Sequence, residues 1–436
     1  QSSFSKPTFI ARIRPGTRTV LLPPDAMTEP TVPAEGFLSI GGPNAVAAVS
    51  DCGRYIAAIV GTYILPGEVA GYRSAAEWLI AKFPDNTDTC LKGIDGSWRL
   101  AFLDTKKDEY YFATDRMGAM RVCYSVSSNG TLSVSSSAEE IGKFGDCQLS
   151  IDPTSILDYF FFSCIPSPST LYSNVRALGP SQLLNFNGSV NTRRYWSPEF
   201  FDRAGRREMA TPEELLDTLE SSVASCVTDR PVAAFLSGGL DSSTVVGMAA
   251  RSASQPVTAY SIGFDEKNYD ETPYARIAAS HFATPLSVYY VTPDDVMTTI
   301  DTVASNYDEP FGNSSAIPTY FCAHTAASAG ETKILAGDGG DELYAGNERY
   351  KKQQIFSYYD LLGSSLKKRI IEPLLLQKLA NVDFFPIRKA RRYVEQALVP
   401  MPDRLQTYNF LMRDGLERIF TRDFLDAVNE NSPLLH

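Results

Sequence analysis

Hydrophobic and polar positions follow two different patterns along the chain, and the change comes near residue 205. Before it, short apolar runs alternate with turn residues, which predicts strands joined by hairpins. These runs are Thr8–Ile13, Tyr55–Val60, Trp98–Leu103, Tyr110–Ala113, Val122–Val126 and Leu132–Val134. Helices predicted over Ser74–Phe83 and Ser155–Phe162 would cover the sheet. Polar, turn-rich residues from Trp196 to Pro212 predict a linker.

Strands alternate with helices after the linker. Thr211 and Glu214 form a capping box at the start of the first helix. Apolar residues recur at every fourth position of this helix and predict a buried face: Leu215, Leu219, Val223 and Val227. Four strands follow, each with a helix or a Gly-rich loop after it: Val232–Leu236, Val257–Ile262, Leu286–Val291 and Lys333–Ala336. This order predicts a parallel sheet that is covered on both faces and binds its ligand beyond the carboxyl ends of the strands.

Composition narrows the class of protein. The 436 residues are enough for two or three domains, and a formal net charge of −11 argues against a general nucleic-acid binder. No apolar run reaches the roughly 18 residues of a membrane span, and Gln1–Lys6 lacks the apolar centre of a signal peptide. Seven cysteines without CxxC spacing predict reduced thiols and a cytoplasmic location. Three separated histidines argue against a histidine-based metal site or triad.

The segment with the clearest chemistry is Phe235–Ser243, a strand end that enters Ser-Gly-Gly-Leu-Asp-Ser-Ser. Backbone N–H groups at the two glycines can close on an anion, and the following helix adds its positive end. The hydroxyls of Ser237, Ser242 and Ser243 can donate to phosphate oxygens. Asp241 would repel a bare phosphate, so its presence predicts Mg²⁺ between the two. The segment has neither the lysine of a P-loop nor the spacing of a dinucleotide fingerprint.

This segment resembles the pyrophosphate loop of the N-type ATP pyrophosphatases, which cleave ATP to AMP and pyrophosphate while they adenylate a substrate. Three further segments are similar to the asparagine synthetase family and occur in the family's order: Ser261–Phe264, Asp308–Phe311 and Gly337–Gly346. The resemblance covers roughly residues 206–350.

The resemblance implies an α/β protein with two domains. An N-terminal Ntn-hydrolase-like αββα domain over 1–200 precedes a parallel-sheet ATP pyrophosphatase domain, adenine nucleotide alpha hydrolase-like, over 206–436. ATP is expected to contact Leu236, Ser237, Gly238, Gly239, Asp241, Ser242, Ser243, Ile262, Gly263 and Gly337, with Ile262 and Gly263 against adenine. Mg²⁺ is expected between Asp241 and Asp341. Asp338 stands where the family places a catalytic residue that helps the amine attack; its alternative is a turn residue between two glycines.

The N-terminal half resembles the glutaminase half of class B asparagine synthetases at Gly93–Asp104, Asp115–Gly118 and Ser135–Glu140. The family's nucleophile is an N-terminal cysteine, whereas this sequence begins with Gln1 and its first strand has none. Where the family has Asn-Gly-Glu to hold glutamine, this chain has Val60-Gly61-Thr62. The half is therefore expected to be an inactive scaffold, as in β-lactam synthetase and the lasso-peptide cyclases.

Three functions follow from these residues. The first is an ATP-dependent amide ligase that adenylates a small-molecule or peptide carboxylate and joins it to an amine or ammonia. The second is a lactam or macrolactam synthetase, and the third is a catalytically inactive nucleotide-binding regulatory protein. No nucleic-acid or membrane partner is expected; a homodimer and a partner protein that supplies substrate or ammonia stay open. The family's catalytic lysine lies in a C-terminal lobe, which we expect to continue beyond His436.

The altered glutamine pocket gives a first prediction. The protein should release no glutamate from glutamine, because a chain without the thiolate has no covalent route to ammonia. Val60 and Thr62 also lack the amide and carboxylate that would select glutamine. Glutamate is measured after incubation with glutamine, with a glutamine-hydrolysing asparagine synthetase as the positive control, and its detectable release by this protein would refute the prediction.

Overall fold

The structure is a computed structural model that describes residues 9–22, 36–42, 44–67, 71–144, 147–199, 210–227, 231–266, 269–401, 403–406, 409, 411 and 415–428. Gln1–Lys6 and most of the predicted linker lie outside the described residues. Contacts divide the chain into two units. The first comprises Gln1–Glu208, Ser305–Gly312 and Ala427–His436, and the second comprises Met209–Ala304 and Asn313–Asp426.

The first unit contains two six-stranded sheets and four helices among its described residues. Its elements are β1 Phe9–Ile13, β2 Val20–Leu22, β3 Phe37–Ile40, β4 Val46–Val49, β5 Tyr55–Ile64, α1 Ala75–Lys82, α2 Thr87–Gly93, β6 Asp95–Asp104, β7 Glu109–Thr114, β8 Cys123–Val126, β9 Leu132–Ser135, α3 Ala138–Phe144, α4 Pro153–Phe162, β10 Arg176–Ala177, β11 Gln182–Phe186 and β12 Val190–Arg194. The strand orders are β10-β8-β9-β1-β3-β2 and β12-β11-β7-β6-β5-β4.

The alternation of side chains along β5 shows how the layers stack. Ile56 and Val60 belong to a core cluster that also contains Phe9 of the other sheet, so this cluster fills the space between the two sheets. Ala57 and Ile59 belong to a second cluster, which contains Trp78 of α1. Helix α3 packs against β8 and β9, which belong to the sheet that contains β1. The predicted αββα arrangement is confirmed.

The rest of the chain alternates strands and helices before it becomes mainly helical. Its elements are α5 Pro212–Cys226, β13 Ala233–Phe235, α6 Leu240–Ser252, β14 Thr258–Gly263, α7 Thr272–His281, β15 Leu286–Tyr290, α8 Pro293–Asn306, α9 Ala316–Ser328, β16 Ile334–Leu335, α10 Gly340–Tyr344, α11 Glu348–Asp360, α12 Ser364–Leu366, two π-helical segments Lys367–Ile371 and Pro373–Lys378, α13 Phe385–Leu398, 3₁₀ turns Asp403–Gln406 and Leu416–Arg418, and α14 Arg422–Ala427. Within the described part of the chain, no helix has the length and apolar character to cross a bilayer.

The sheet of the second unit has the order β15-β14-β13-β16, and every pair is parallel, as the sequence predicts. The capping box of Thr211 and Glu214 is also formed. The predicted buried face of α5 is wrong for the first turns: Leu215 is exposed, and only Val223 and Val227 near the end pack against the core. Regular spacing of apolar residues indicates an amphipathic helix, but it does not predict how much of α5 the neighbouring helix α6 covers.

The segment Ser305–Gly312 follows most of α8 in the chain but belongs to the first unit. The Glu309 side chain is only 6% exposed, and its Oε2 lies 2.5 Å from Nη1 of Arg121. The backbone N–H of Leu171 donates to the other oxygen of Glu309 at 2.9 Å. Asp308 accepts from the hydroxyl of Ser137 and, at 2.9 Å, from the backbone N–H of Ala138. Two adjacent carboxylates therefore hold this segment on the first unit.

The Arg121–Glu309 pair gives a second prediction. Glu309→Ala should lower the free energy of unfolding of the first unit by about 3 kcal/mol, the low end of the cost of breaking a buried pair, because it leaves the guanidinium of Arg121, a side chain 30% exposed, without its partner. Glu139→Ala is the matched control: Glu139 forms an exposed pair with Lys143 and should cost at most ~0.5 kcal/mol. All three tryptophans, Trp78, Trp98 and Trp196, lie in the first unit, so their fluorescence in urea reports its unfolding. Equal losses in the two variants would refute the prediction.

Candidate nucleotide-binding site

The first glycine-rich loop joins β13 to α6. Leu236 is 1% exposed, so its side chain belongs to the core, and its N–H donates to the carbonyl of Tyr260 at 2.8 Å. The hydroxyl oxygens of Ser237 and Ser242 lie 3.0 Å apart. The hydroxyl of Ser237 also accepts from the N–H of Gly239 at 3.2 Å. These bonds hold both hydroxyls at the start of α6, where no side chain caps the helix.

Gly238 is at the tightest point of this loop. Its φ of 92° lies in the left-handed region, which glycine adopts without strain. A Cβ at this position would also overlap the backbone of α7 at Tyr274 and Ala275. The loop therefore packs directly on the first turn of α7, and any side chain at 238 would separate the two.

The second glycine-rich loop follows β16, which pairs with β13. A Cβ on Gly337 would lie 2.7 Å from the amide nitrogen of Ser242 and 2.8 Å from the carbonyl carbon of Asp241. A Cβ on Gly340 would overlap the Asp241 carboxylate, with Oδ1 2.8 Å away. The backbone of the second loop thus lies against Asp241, in the first turn of the helix that follows the first loop. Asp338 and Asp341, on the same loop as Gly340, are both exposed.

The carboxylates at this edge of the sheet are of the kind that bind Mg²⁺. Mg²⁺ in nucleotide sites is held by one or two carboxylates together with substrate phosphates and water. The Asp241 carboxylate lies against Gly340, so it fits one ligand of such an ion. The carboxylate of Asp341, the next residue after Gly340, lies against Gly346. Among the residues that the structure describes, no group of three or more His, Cys, Asp or Glu side chains is placed to hold a metal by itself.

The predicted adenine contacts lie one strand away, at the end of β14. In the parallel register Ile262 is opposite Tyr289, and Gly263 is opposite Tyr290. Tyr289 stacks on Phe321 of α9, with ring centroids 4.9 Å apart and planes 4° from parallel, and donates to Asp295 at 3.1 Å. Hydrogen bonds from the backbone and hydroxyl of Thr292 lower the pKa of Asp295.

Sequence reasoning did not single out Tyr290. Its ring occupies the space that a Cβ of Gly263 would need, and 44% of the residue is exposed. The only signal in the sequence is the glycine at the end of an apolar strand, which can mark the close approach of another group.

The structure brings the predicted residues of the two loops together at one sheet edge, with Ile262 and Gly263 at the end of the adjoining strand. A separate cleft of about 780 Å³ lies among the helices from α11 to α13 and contains none of them. Lys367 of the cleft lies 4.0 Å from Asp360. Burial, with a smaller effect of Glu372, raises the pKa of Tyr359 in the same cleft to about 12.

The fold and the site define a protein with an αββα unit and a parallel-sheet unit whose strand ends carry a glycine-rich anion loop beside acidic residues. The asparagine synthase family model matches residues 214–431, half of the chain. A glutamine amidotransferase domain model matches residues 67–196. The chain therefore belongs to the asparagine synthase family.

Individual relatives agree with this family. "Putative asparagine synthetase 2", glutamine-hydrolyzing, of Methanocaldococcus jannaschii is 32% identical over 305 residues, which are 64% of this chain and 58% of that protein. The glutamine-hydrolyzing asparagine synthetase 1 of Bacillus subtilis is 25% identical over 78% of this chain and 55% of that protein. Amidase chry2 of Gibberella zeae is 21% identical over 72% of this chain and 49% of that protein. The chain thus spans about half the length of these relatives.

The contact between Gly340 and Asp241 gives a third prediction. Gly340→Ala should lower the affinity for Mg²⁺·ATP at least tenfold with little loss of stability, because its methyl group displaces only a carboxylate at the end of a side chain. Gly337→Ala should also destabilise the unit, because its methyl group meets backbone atoms, which yield less. Calorimetric titration gives the affinities, and thermal melting by circular dichroism gives the stabilities.

Gly363→Ala is the matched control, since a Cβ there meets nothing within 4 Å and the φ of −59° suits alanine. It should change neither quantity. Normal Mg²⁺·ATP binding by Gly340→Ala would show that the position of Asp241 does not govern binding.

Proposed function

We propose that the protein is an ATP-dependent amide-forming ligase that adenylates a carboxylate and passes the acyl group to an amine or ammonia. ATP binds across the carboxyl ends of β13, β14 and β16. The observation that carries the proposal is the contact of Asp241 with the backbone of the second glycine-rich loop at Gly337 and Gly340. In this proposal Asp241 is a metal-binding carboxylate at the uncapped start of α6, where the hydroxyls of Ser237 and Ser242 also lie. Family membership supports the same activity.

The first step forms an acyl-adenylate. The β- and γ-phosphates lie on the backbone N–H groups of the first loop and on the hydroxyls of Ser237, Ser242 and Ser243. A substrate carboxylate oxygen attacks the α-phosphorus, and the bond from that phosphorus to the bridging oxygen breaks. Pyrophosphate leaves with the electron pair, and the loop stabilises its charge. Mg²⁺ held by Asp241 and Asp341 would supply further neutralisation of that charge.

The second step forms the amide. The amine attacks the acyl carbonyl, AMP leaves, and one proton must be removed from the nitrogen. We assign this proton to Asp338, an exposed carboxylate between two glycines on the second loop. As a carboxylate with access to solvent, Asp338 can accept a hydrogen bond from the incoming neutral amine and then take the one proton that leaves the nitrogen as the amide forms.

The amine does not come from glutamine hydrolysed by the first unit in this proposal. Val60 is buried between the two sheets and Thr62 is exposed, so this strand offers neither an amide nor a carboxylate to glutamine. Free ammonia, a partner protein or an amine on the substrate itself would then be the donor. The last of these would make the product a lactam or macrolactam. Seven free cysteines support a location in the cytoplasm.

The products of ATP test the proposal. The protein is incubated with Mg²⁺, ATP and a panel of carboxylic acids with ammonium, including aspartate, and nucleotides are separated by chromatography. AMP and pyrophosphate in equal amounts are expected, because the loop holds the leaving pyrophosphate. ADP and orthophosphate as first products would overturn the mechanism. ATP binding without cleavage for any acid would favour a nucleotide-binding regulatory protein instead.

Asp241→Asn gives a fourth prediction. The substitution removes one negative charge from the proposed Mg²⁺ ligands, so the rate of AMP formation should fall at least 100-fold (about 2.7 kcal/mol). The melting temperature should stay unchanged, because Asp241 is only partly buried. Asp217→Asn on the exposed surface of α5 is the matched control and should retain full activity. A similar rate in Asp241→Asn and the wild type would rule out the ligand assignment.

A further inference from the structure

The residue Tyr290 has features that its place in the sheet does not require. It ends β15, and β15 is the edge strand beside β14. Its neighbour Tyr289 points to the opposite face, where it stacks on Phe321. Tyr290 instead is 44% exposed, and it lies at the carboxyl ends of the strands, where the glycine-rich loops begin.

The ring of Tyr290 lies directly against the backbone of β14. The two residues Gly263 and Tyr290 are paired in the parallel register, and the N–H of Val291 donates to the carbonyl of Gly263 at 3.1 Å. A Cβ on Gly263 would lie 3.0 Å from Cζ of the ring and closer still to its edge. Gly263 therefore allows an aromatic ring to lie across the end of β14.

Two side chains of α7 lie near the hydroxyl end of the ring. Side-chain hydrogen bonding with Thr272 and Arg276 lowers the pKa of Tyr290. Thr272 is itself buried, and its hydroxyl and N–H both donate to Asp270. A ring that packs on the backbone at Gly263 presents its other face in one orientation, which lowers the entropy cost of stacking a ligand on it.

The same helix, α7, connects this ring to the phosphate loop. Its first turn packs against Gly238, while Thr272 and Arg276 reach Tyr290. Strands two apart in a sheet are about 10 Å distant, so the ends of β13 and β15 are separated by roughly the length of a nucleotide. A nucleotide with its pyrophosphate on the loop after β13 would extend toward Tyr290.

We propose that Tyr290 is the stacking residue for the nucleobase of ATP, held in position by its packing on Gly263. This inference rests on the proposed function, since it requires ATP at this sheet edge. It assigns a specific contact beyond the expected backbone contacts of Ile262 and Gly263. An aromatic ring can stack on any nucleobase, so the ring of Tyr290 contributes affinity without selecting the base. Discrimination between adenine and guanine would come from the backbone of β14.

The test compares a ligand that has a base with one that has none. The whole protein and its variants are titrated by calorimetry with Mg²⁺·ATP and with Mg²⁺·pyrophosphate. Tyr290→Ala should weaken ATP binding about tenfold or more, as removal of an aromatic stacking partner does, and leave pyrophosphate binding unchanged. Tyr290→Phe keeps the ring and should bind within about threefold of the wild type.

Two exposed tyrosines serve as controls. Tyr358 lies on α11, is 57% exposed and should be neutral as alanine. Tyr274 lies at the phosphate loop beside Gly238, and its loss should affect both ligands alike. Unchanged ATP affinity in Tyr290→Ala, or equal loss for ATP and pyrophosphate, overturns the inference and leaves the proposed function standing. Failure of the wild type to bind either ligand overturns both.

Discussion

The site depends on the absence of side chains where the two glycine-rich loops meet. Strand β13 lies between β14 and β16, so the loop after β13 and the loop after β16 leave the sheet side by side. Parallel pairing of the strands is enough to bring the two loops to the same edge of the sheet. Only because residues 337 and 340 are glycines can the backbone of the second loop lie against Asp241. The carboxylate thus lies in van der Waals contact with backbone, and no charged side chain among the described residues forms a salt bridge with it that would compete with a metal ion.

Most of the fold could be predicted because its signals are local. Apolar runs and turn residues predict the strands of both units, and the strand–helix alternation after residue 230 predicts the parallel sheet. The overestimated burial of α5 shows the limit of such signals: Leu215 follows the same spacing as Val223 but is exposed and lies outside the core cluster that Val223 joins. Burial depends on where the next element ends, which spacing within one helix does not contain.

The residues of the candidate site also differ in whether local sequence signals could predict them. Ser237, Asp241 and Gly337 belong to contiguous motifs, so sequence alone could single them out. Tyr290 could not be found in this way, and sequence alone singles out Glu309 only as part of the segment Asp308–Phe311, without its partner. Each acquires its surroundings from a residue far away in the chain, Tyr290 from Gly263 across a strand pair and Glu309 from Arg121. Their roles stay predictions, as do those of the motif residues.

The placement of Ser305–Gly312 has a consequence for how the protein folds during its synthesis on the ribosome. Arg121 receives its partner from a position 188 residues later in the chain. The first unit therefore cannot form the Arg121–Glu309 pair until β13, β14 and β15 of the second unit have been made. Domains that mature strictly one after another avoid this delay. A fragment that ended before residue 305 would contain Arg121 without the carboxylate of Glu309.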